Sequence, residues 1–316
     1  MSDAAAPAGP GLLVEDETST AGPGSPAPAR SHTPRSRAAV VGYLLLLPAM
    51  LWLVVFFVLP LYSLVATSLY DPAGSIFAGY DMTWSFSNFT DSLGSYWQPL
   101  IRSLAYAAIS TGLCLVLGYV LAYAIAYKAG RWKNLMLVLV IAPFFTSFLI
   151  RTLSWKLLLA DDGLIVNTLQ FVHVMGPGSR LLATPVAVIA GLTYNFLPFM
   201  VLPLYASLER IDRRLIEAAN DLYSSPAVAF LKVTWPLSLP GVVAGTLLTF
   251  IPAAGDYINA QLLGSPSERM IGNVIQNLFT DANDYPAAGA MSVVLMVIIV
   301  AMVLAYIRKS GTEDLV

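Results

Sequence analysis

The sequence predicts an all-α, polytopic membrane helix bundle with six transmembrane helices. Three observations lead there. The chain is 57% hydrophobic and only 11% charged, where a soluble domain carries about 25% charged residues. Its mean hydropathy is +0.70. Six apolar runs come close to or exceed the roughly 20 residues that cross a bilayer core.

Residues 1–38 are dominated by Ala, Pro, Ser, Gly and Thr. Such a segment has too few large apolar side chains to bury a core, so it is expected to be a disordered tail ahead of a membrane domain at 39–310. The first run, Val40 to Ala66, is longer than the apolar part of a signal peptide and reads as an uncleaved span. Pro48 and Pro60 should kink it, because neighbouring helices can satisfy the freed backbone groups. The other runs are Leu104–Tyr127, Leu135–Leu157, Pro185–Leu208, Pro240–Leu263 and Ala287–Ile307. The third is crowded at one end by Arg151 and Lys156, and the fifth contains Asp256.

The cations set the expected orientation, since Lys and Arg are retained on the cytoplasmic side. With the N-terminus inside, Arg30, Arg35, Arg37, Lys128, Arg131, Lys133, Arg210, Arg213, Arg214, Lys232, Arg308 and Lys309 lie inside. Arg102, Arg151, Lys156, Arg180 and Arg269 lie outside, so 12 of the 17 cations are cytoplasmic. Both termini are therefore expected inside. The outer loop 67–101 carries Tyr80, Trp84 and Trp97, which suit either interfacial anchors or a cover over the mouth of a path.

Several functions are excluded by what is missing. A net charge of −2 without a basic cluster gives no nucleic-acid surface. No Gly-x-x-x-x-Gly-Lys-Ser/Thr occurs, so no P-loop is expected. His32 and His173 are the only histidines, and Cys114 is the only cysteine. Neither a metal cluster nor a hydrolase constellation can be assembled from them. Cys114 reads as a small packing residue.

The segment 209–236 is different in kind. It is polar, it has helical periodicity, and it lies between two spans. Asp212 is placed to cap a helix whose Ile211, Leu215, Ala218, Ala219 and Leu222 share one face. Ser224, Ser225 and Pro226 mark a turn, and Val228, Phe230, Leu231 and Val233 form a second short helix toward Pro236. Periodicity alone allows two readings: an amphipathic helix lying on lipid, or a docking element whose small alanines allow close approach while Glu217 meets a basic partner residue.

Residues Glu217-Ala218-Ala219, with Val233 and Pro236 at the matching spacing, resemble the EAA loop of ABC-transporter permeases. Tyr223 stands where that family has Gly, and Trp235 where it has Leu. The resemblance continues through Tyr194–Met200, Ile150-Arg151-Thr152, Pro240-Gly241, Gly245–Pro252, Gly255-Asp256-Tyr257, Leu262-Leu263-Gly264, Met270–Asn273 and Tyr285-Pro286. These stretches look like permeases of the spermidine/putrescine type and cover about residues 40–307.

The resemblance implies the type I ABC importer permease fold in a bacterial inner membrane. It implies a chain that performs no chemistry and binds no cofactor, with ATP and Mg held by separate ATPase subunits. Further partners would be a second permease subunit, in a homo- or heterodimer, an external substrate-binding protein and membrane lipid. Glu217, Ala218, Ala219, Leu222, Tyr223 and Pro236 would couple to the ATPase. The solute would be a polyamine or a related small cationic or amino-acid-like molecule. Asp256, Tyr194, Asn195 and Tyr257 are candidates for its path. Asp256 can serve a cationic solute, pair with Arg151 or another cation, or mark an outer helix end. Arg151 can snorkel outward or act as a gate. Asn195, Asn259 and Gln261 can bond between helices. The alternative is a secondary transporter driven by an ion gradient, which would show repeats and broken helices near the midplane.

Overall fold

The computed structural model describes residues 35–309 except Ile76, Pro177, Tyr223 and Ser224. Most of the expected disordered tail, residues 1–34, thus lies outside the described residues, as does Tyr223. The chain divides into two units, with the boundary between Phe57 and Val58.

In the first unit, helix α1 (Arg35–Leu53) keeps Pro48 inside it. It begins four residues before the expected end of the tail. A π-helical turn follows at Val54–Val58; in the second unit, α2 (Leu59–Thr67) starts with Pro60 in its first two positions. The same arrangement recurs at Phe230–Thr234, a π turn placed just before Pro236. A proline ring collides with the carbonyl four residues back, and the wider π turn moves that carbonyl aside.

In the second unit, α3 (Ser87–Tyr123) begins well before the expected Leu104 and is kinked at Tyr96, ahead of Pro99. Part of the stretch read as an outer loop is therefore helix. Before it, residues 70–82 fold back on themselves through the bridges Tyr70–Met82 and Ser75–Gly79. Next come α4 (Lys133–Ile141), a 3₁₀ turn at Ala142–Phe145, α5 (Phe148–Leu158) and α6 (Leu164–Phe171). They are followed by α7 (Pro185–Glu209), α8 (Arg213–Leu222), α9 (Pro226–Ala229) and α10 (Trp235–Ala254). The chain ends with α11 (Ile258–Leu263), α12 (Ile271–Thr280) and α13 (Tyr285–Lys309).

Among the described residues, five helical stretches are long and apolar enough to cross a membrane, and a bent pair makes up to six. That pair is the expected third span. It is not straight: Gly130–Phe145 and Phe148–Leu158 meet at 95°. Pro143 and the extended backbone of Thr146 and Ser147 cause the break. The expected fifth span is also corrected. The helix begins at Pro226, ahead of Pro240, and runs to Ala254. It ends at Gly255, so Asp256 sits in a non-helical break between α10 and α11.

Helices α3, α7 and α10 form the centre. Small residues bring them together, as packing between membrane helices requires. A Cβ on Gly241 would lie 2.5 Å from Ser207 Cβ and 2.7 Å from the Pro203 carbonyl oxygen. One on Gly245 would lie 2.7 Å from Met200 Sδ. The apolar core around them includes Cys114, Ala122, Met200, Val201 and Leu204, all fully buried.

Candidate functional site: a surface loop and a buried polar belt

The 209–236 loop is built from its cap outward. Asp212 Oδ1 accepts from the backbone N–H of Arg214 at 2.9 Å, which caps α8 as its sequence suggests. Glu217, Ala218 and Leu222 face outward and Ala219 is buried. Leu215 and Leu222 are 51% and 78% exposed, leaving an apolar stripe uncovered. Pro236 is also exposed. Beside the loop, a cleft of about 570 Å³ is lined by Pro203, Arg210, Asp212, Leu215, Leu237 and Pro240 among others.

One detail departs from the sequence reading. The second short helix is not separate, because α9 and the π turn run directly into α10. Aromatic packing holds this junction. Tyr119 meets Phe230 at 5.5 Å and Trp235 at 5.3 Å. Its hydroxyl bonds Ser238 Oγ at 2.8 Å, and Ser238 in turn donates to the Trp235 carbonyl at 2.9 Å. Trp235 therefore has a partner that suits its ring.

The second feature lies near the middle of α7. Asn195 is 14 residues before the end of α7, which places it about 21 Å along the helix from that end. Its Nδ2 donates to Thr152 Oγ1 at 3.1 Å and to Asn259 Oδ1 at 3.0 Å. Asp256 Oδ1 accepts from the Asn259 backbone N–H at 2.8 Å. These bonds join α5, α7 and α11 into a polar belt. Gly191 makes room for it, since a Cβ there would lie 2.8 Å from Asn259 Oδ1.

A connector fastens the belt to α3. Asn273 Nδ2 donates to the Tyr257 carbonyl at 2.6 Å. Ser103 Oγ accepts from the Ile271 N–H at 2.6 Å. Arg102 donates to the Arg269 carbonyl at 3.0 Å, and Tyr106 donates to Glu268.

The expected path residues divide. Asp256 and Asn195 share the belt, and Tyr257 contributes its carbonyl while its residue stays 41% exposed. Tyr194 does not join. Its ring packs on Trp155 at 5.3 Å and lines an apolar cavity of about 310 Å³ with Leu121, Met136 and Leu197. Asp256 and Arg151 are not among the ion pairs of the described residues. Arg151 instead lies over the rings of Phe144 and Phe148, at 5.5 and 5.6 Å. Sequence reasoning did not single out Ser103, Tyr106 or Glu268. They are common residue types without a motif, and only the fold brings them to the 268–271 segment.

The described residues thus place broken helices around a buried polar belt, with an amphipathic loop exposed at the surface. Residues 114–310 match the family described as "Binding-protein-dependent transport system inner membrane component". The chain belongs to that family and is a multi-pass permease subunit of a bacterial ABC importer. It is 38% identical over 260 residues to the spermidine/putrescine transport system permease protein PotB of Escherichia coli (strain K12), covering 82% of this chain and 94% of that one. The PotB of Haemophilus influenzae is 36% identical over 260 residues, with 82% and 90% covered. The inner membrane ABC transporter permease protein YdcU of Escherichia coli (strain K12) is 32% identical over 232 residues, with 68% and 72% covered. Among solved structures, a bacterial ABC transporter involved in the import of the acidic polysaccharide alginate superposes with a TM-score of 0.66. Its identity is 19%, and 88% of this chain and 98% of that chain are covered, which shows a shared fold. The alternative of an ion-driven secondary carrier is not favoured by these matches.

Proposed function

We propose that this chain is the permease of a polyamine importer and that spermidine or putrescine is its solute. The relatives at 36% and 38% identity carry this reading. The belt supports it. A polyamine bears ammonium groups, and Asp256 is a buried carboxylate outside the ion pairs of the described residues. A carboxylate in a low-dielectric site attracts such a cation strongly.

The exposed stripe on α8 is the docking face for an ATPase subunit, with Glu217, Ala218, Leu222 and Pro236 outermost. Ala219 holds the loop to the body, and Tyr223 belongs to the same coupling set. ATP and Mg belong to that partner. A second permease subunit completes the pore and an external binding protein delivers the solute. Both termini lie in the cytoplasm. Closure of the ATPases moves the 209–236 loop. Because the loop is continuous with α10, that motion passes along α10 to the break at Gly255 and Asp256.

The test is reconstitution of the complete transporter in liposomes with ATP inside or outside. Uptake of labelled putrescine or spermidine that needs ATP is expected. Glu217→Lys should abolish uptake and lose the ATPase from a mild-detergent pull-down. Uptake that persists without ATP on an ion gradient refutes the coupling, and failure to carry either polyamine refutes the solute.

A further inference from the structure

Asp256 of the belt and Arg151, the neighbour of its Thr152, are both buried, each only 8% exposed. Charges buried within a membrane domain normally pair with one another, because an unpaired buried charge is costly. Here they do not. Arg151 Nε and Nη1 have no hydrogen-bond partner among the described residues. The guanidinium rests on two phenylalanine rings, which attract it but accept no conventional hydrogen bond.

The two charges are nevertheless joined. Thr152, the residue after Arg151, is bonded to Asn195, and Asn195 to Asn259, whose N–H caps Asp256. The amide bridge is itself incompletely satisfied, since Asn195 Oδ1 is buried without a hydrogen-bond partner among the described residues. Such an arrangement leaves an acceptor available for a second pattern of bonds. Both charges also sit at breaks in helices. Arg151 is in the first turn of α5, just past the 95° bend. Asp256 is in the non-helical turn between α10 and α11. A small rotation at either break moves one charge relative to the other.

We propose that Arg151 is a displacing cation: in the alternate conformation its guanidinium takes the Asp256 carboxylate and expels the ammonium group of the solute. In the arrangement seen here Arg151 is withdrawn onto Phe144 and Phe148, and Asp256 makes no ion pair among the described residues. Switching brings the internal cation in, and one carboxylate serves capture and release in turn. No bond is made or broken covalently. The solute half of this proposal rests on the cationic-solute reading above; the movement of Arg151 does not.

The experiment uses the complete transporter in proteoliposomes, with labelled putrescine as the probe. Two quantities are measured: the ATP-driven uptake rate, and the label retained on the complex after turnover. Arg151→Gln should slow uptake about tenfold and raise the retained label. Asp256→Asn should lose both. Arg151→Lys keeps the charge and should stay within about threefold of wild type. Arg151→Gln uptake within twofold of wild type overturns the proposal, as does a loss shared equally by Arg151→Lys with no retained label. A second arm needs no solute. Arg151→Cys with Asp256→Cys, in a Cys114→Ala background, is treated with a short thiol cross-linker with and without ATP and vanadate. Cross-linking that depends on the nucleotide state is expected. The same yield in every state overturns the pairing, whichever solute the wild type carries.

Discussion

Adding one methyl group at Gly272 should injure the belt through its backbone, without altering any of its polar side chains. Gly272 opens α12 against the break that holds Asp256. A Cβ there would lie 2.5 Å from the Gly255 carbonyl oxygen, 2.9 Å from that of Asp256 and 3.0 Å from the Asp256 carbonyl carbon. All three are backbone atoms, so no side chain can swing away. Good carbon contacts need about 3.5 Å, so α12 must retreat by about 1 Å. Overpacking of this kind costs about 1–3 kcal/mol. The retreat also stretches Asn273 Nδ2 to the Tyr257 carbonyl and Ile271 N–H to Ser103 Oγ, both 2.6 Å now. Hydrogen bonds between membrane helices contribute about 0.6 kcal/mol each. The whole effect is about 2–4 kcal/mol, a fall in Tm of order 5–10 °C. Cys114 is fully buried and is the only cysteine, so its reaction with a thiol-reactive fluorophore reports unfolding of this chain. Gly112→Ala is the control, because its Cβ meets nothing within 4 Å and a helical alanine is favoured over glycine. Gly272→Ala should fall while Gly112→Ala holds or rises. Equal shifts in the two variants, or none in Gly272→Ala, would refute the packing argument.

Further outcomes follow from single bonds. Asp212→Ala removes the cap on α8 and should loosen it by about 1 kcal/mol, seen as faster amide exchange over 213–216, with Asp212→Asn restoring protection. Tyr80 donates to the Asn283 carbonyl at 2.5 Å and meets Tyr285 edge-on at 5.5 Å. Tyr80→Phe keeps the ring contact and loses the bond, at about 1 kcal/mol. Limited proteolysis should then cut within 70–82 faster, while uptake stays near wild type.

Much of the architecture is legible locally. Apolar runs mark the spans because a bilayer core demands unbroken apolar length. The Asp212 cap and the Ile211–Leu222 face are short-range patterns, so the sequence alone places α8. The Glu217-Ala218-Ala219 spacing names the family, and the match over 114–310 agrees with it.

Other features are set by long-range contacts. The 95° bend near Pro143 and the break at Gly255 were hidden in apolar runs of the right length, since hydropathy averages over the residues that break a helix. The sequence placed Asp256 and Arg151 in apolar runs and left their roles open; it did not show that one accepts the Asn259 N–H while the other rests on aromatic rings. Ser103, Tyr106 and Glu268 carried no sequence signal, because their role arises only where α3 meets a segment more than 160 residues away. Sequence alone determined that this chain crosses a membrane and carries an amphipathic helix between two spans, because both depend on contiguous patterns of side chains. Only the tertiary structure decided which polar groups meet inside it, because buried hydrogen bonds are chosen by whatever the folded helices bring within reach.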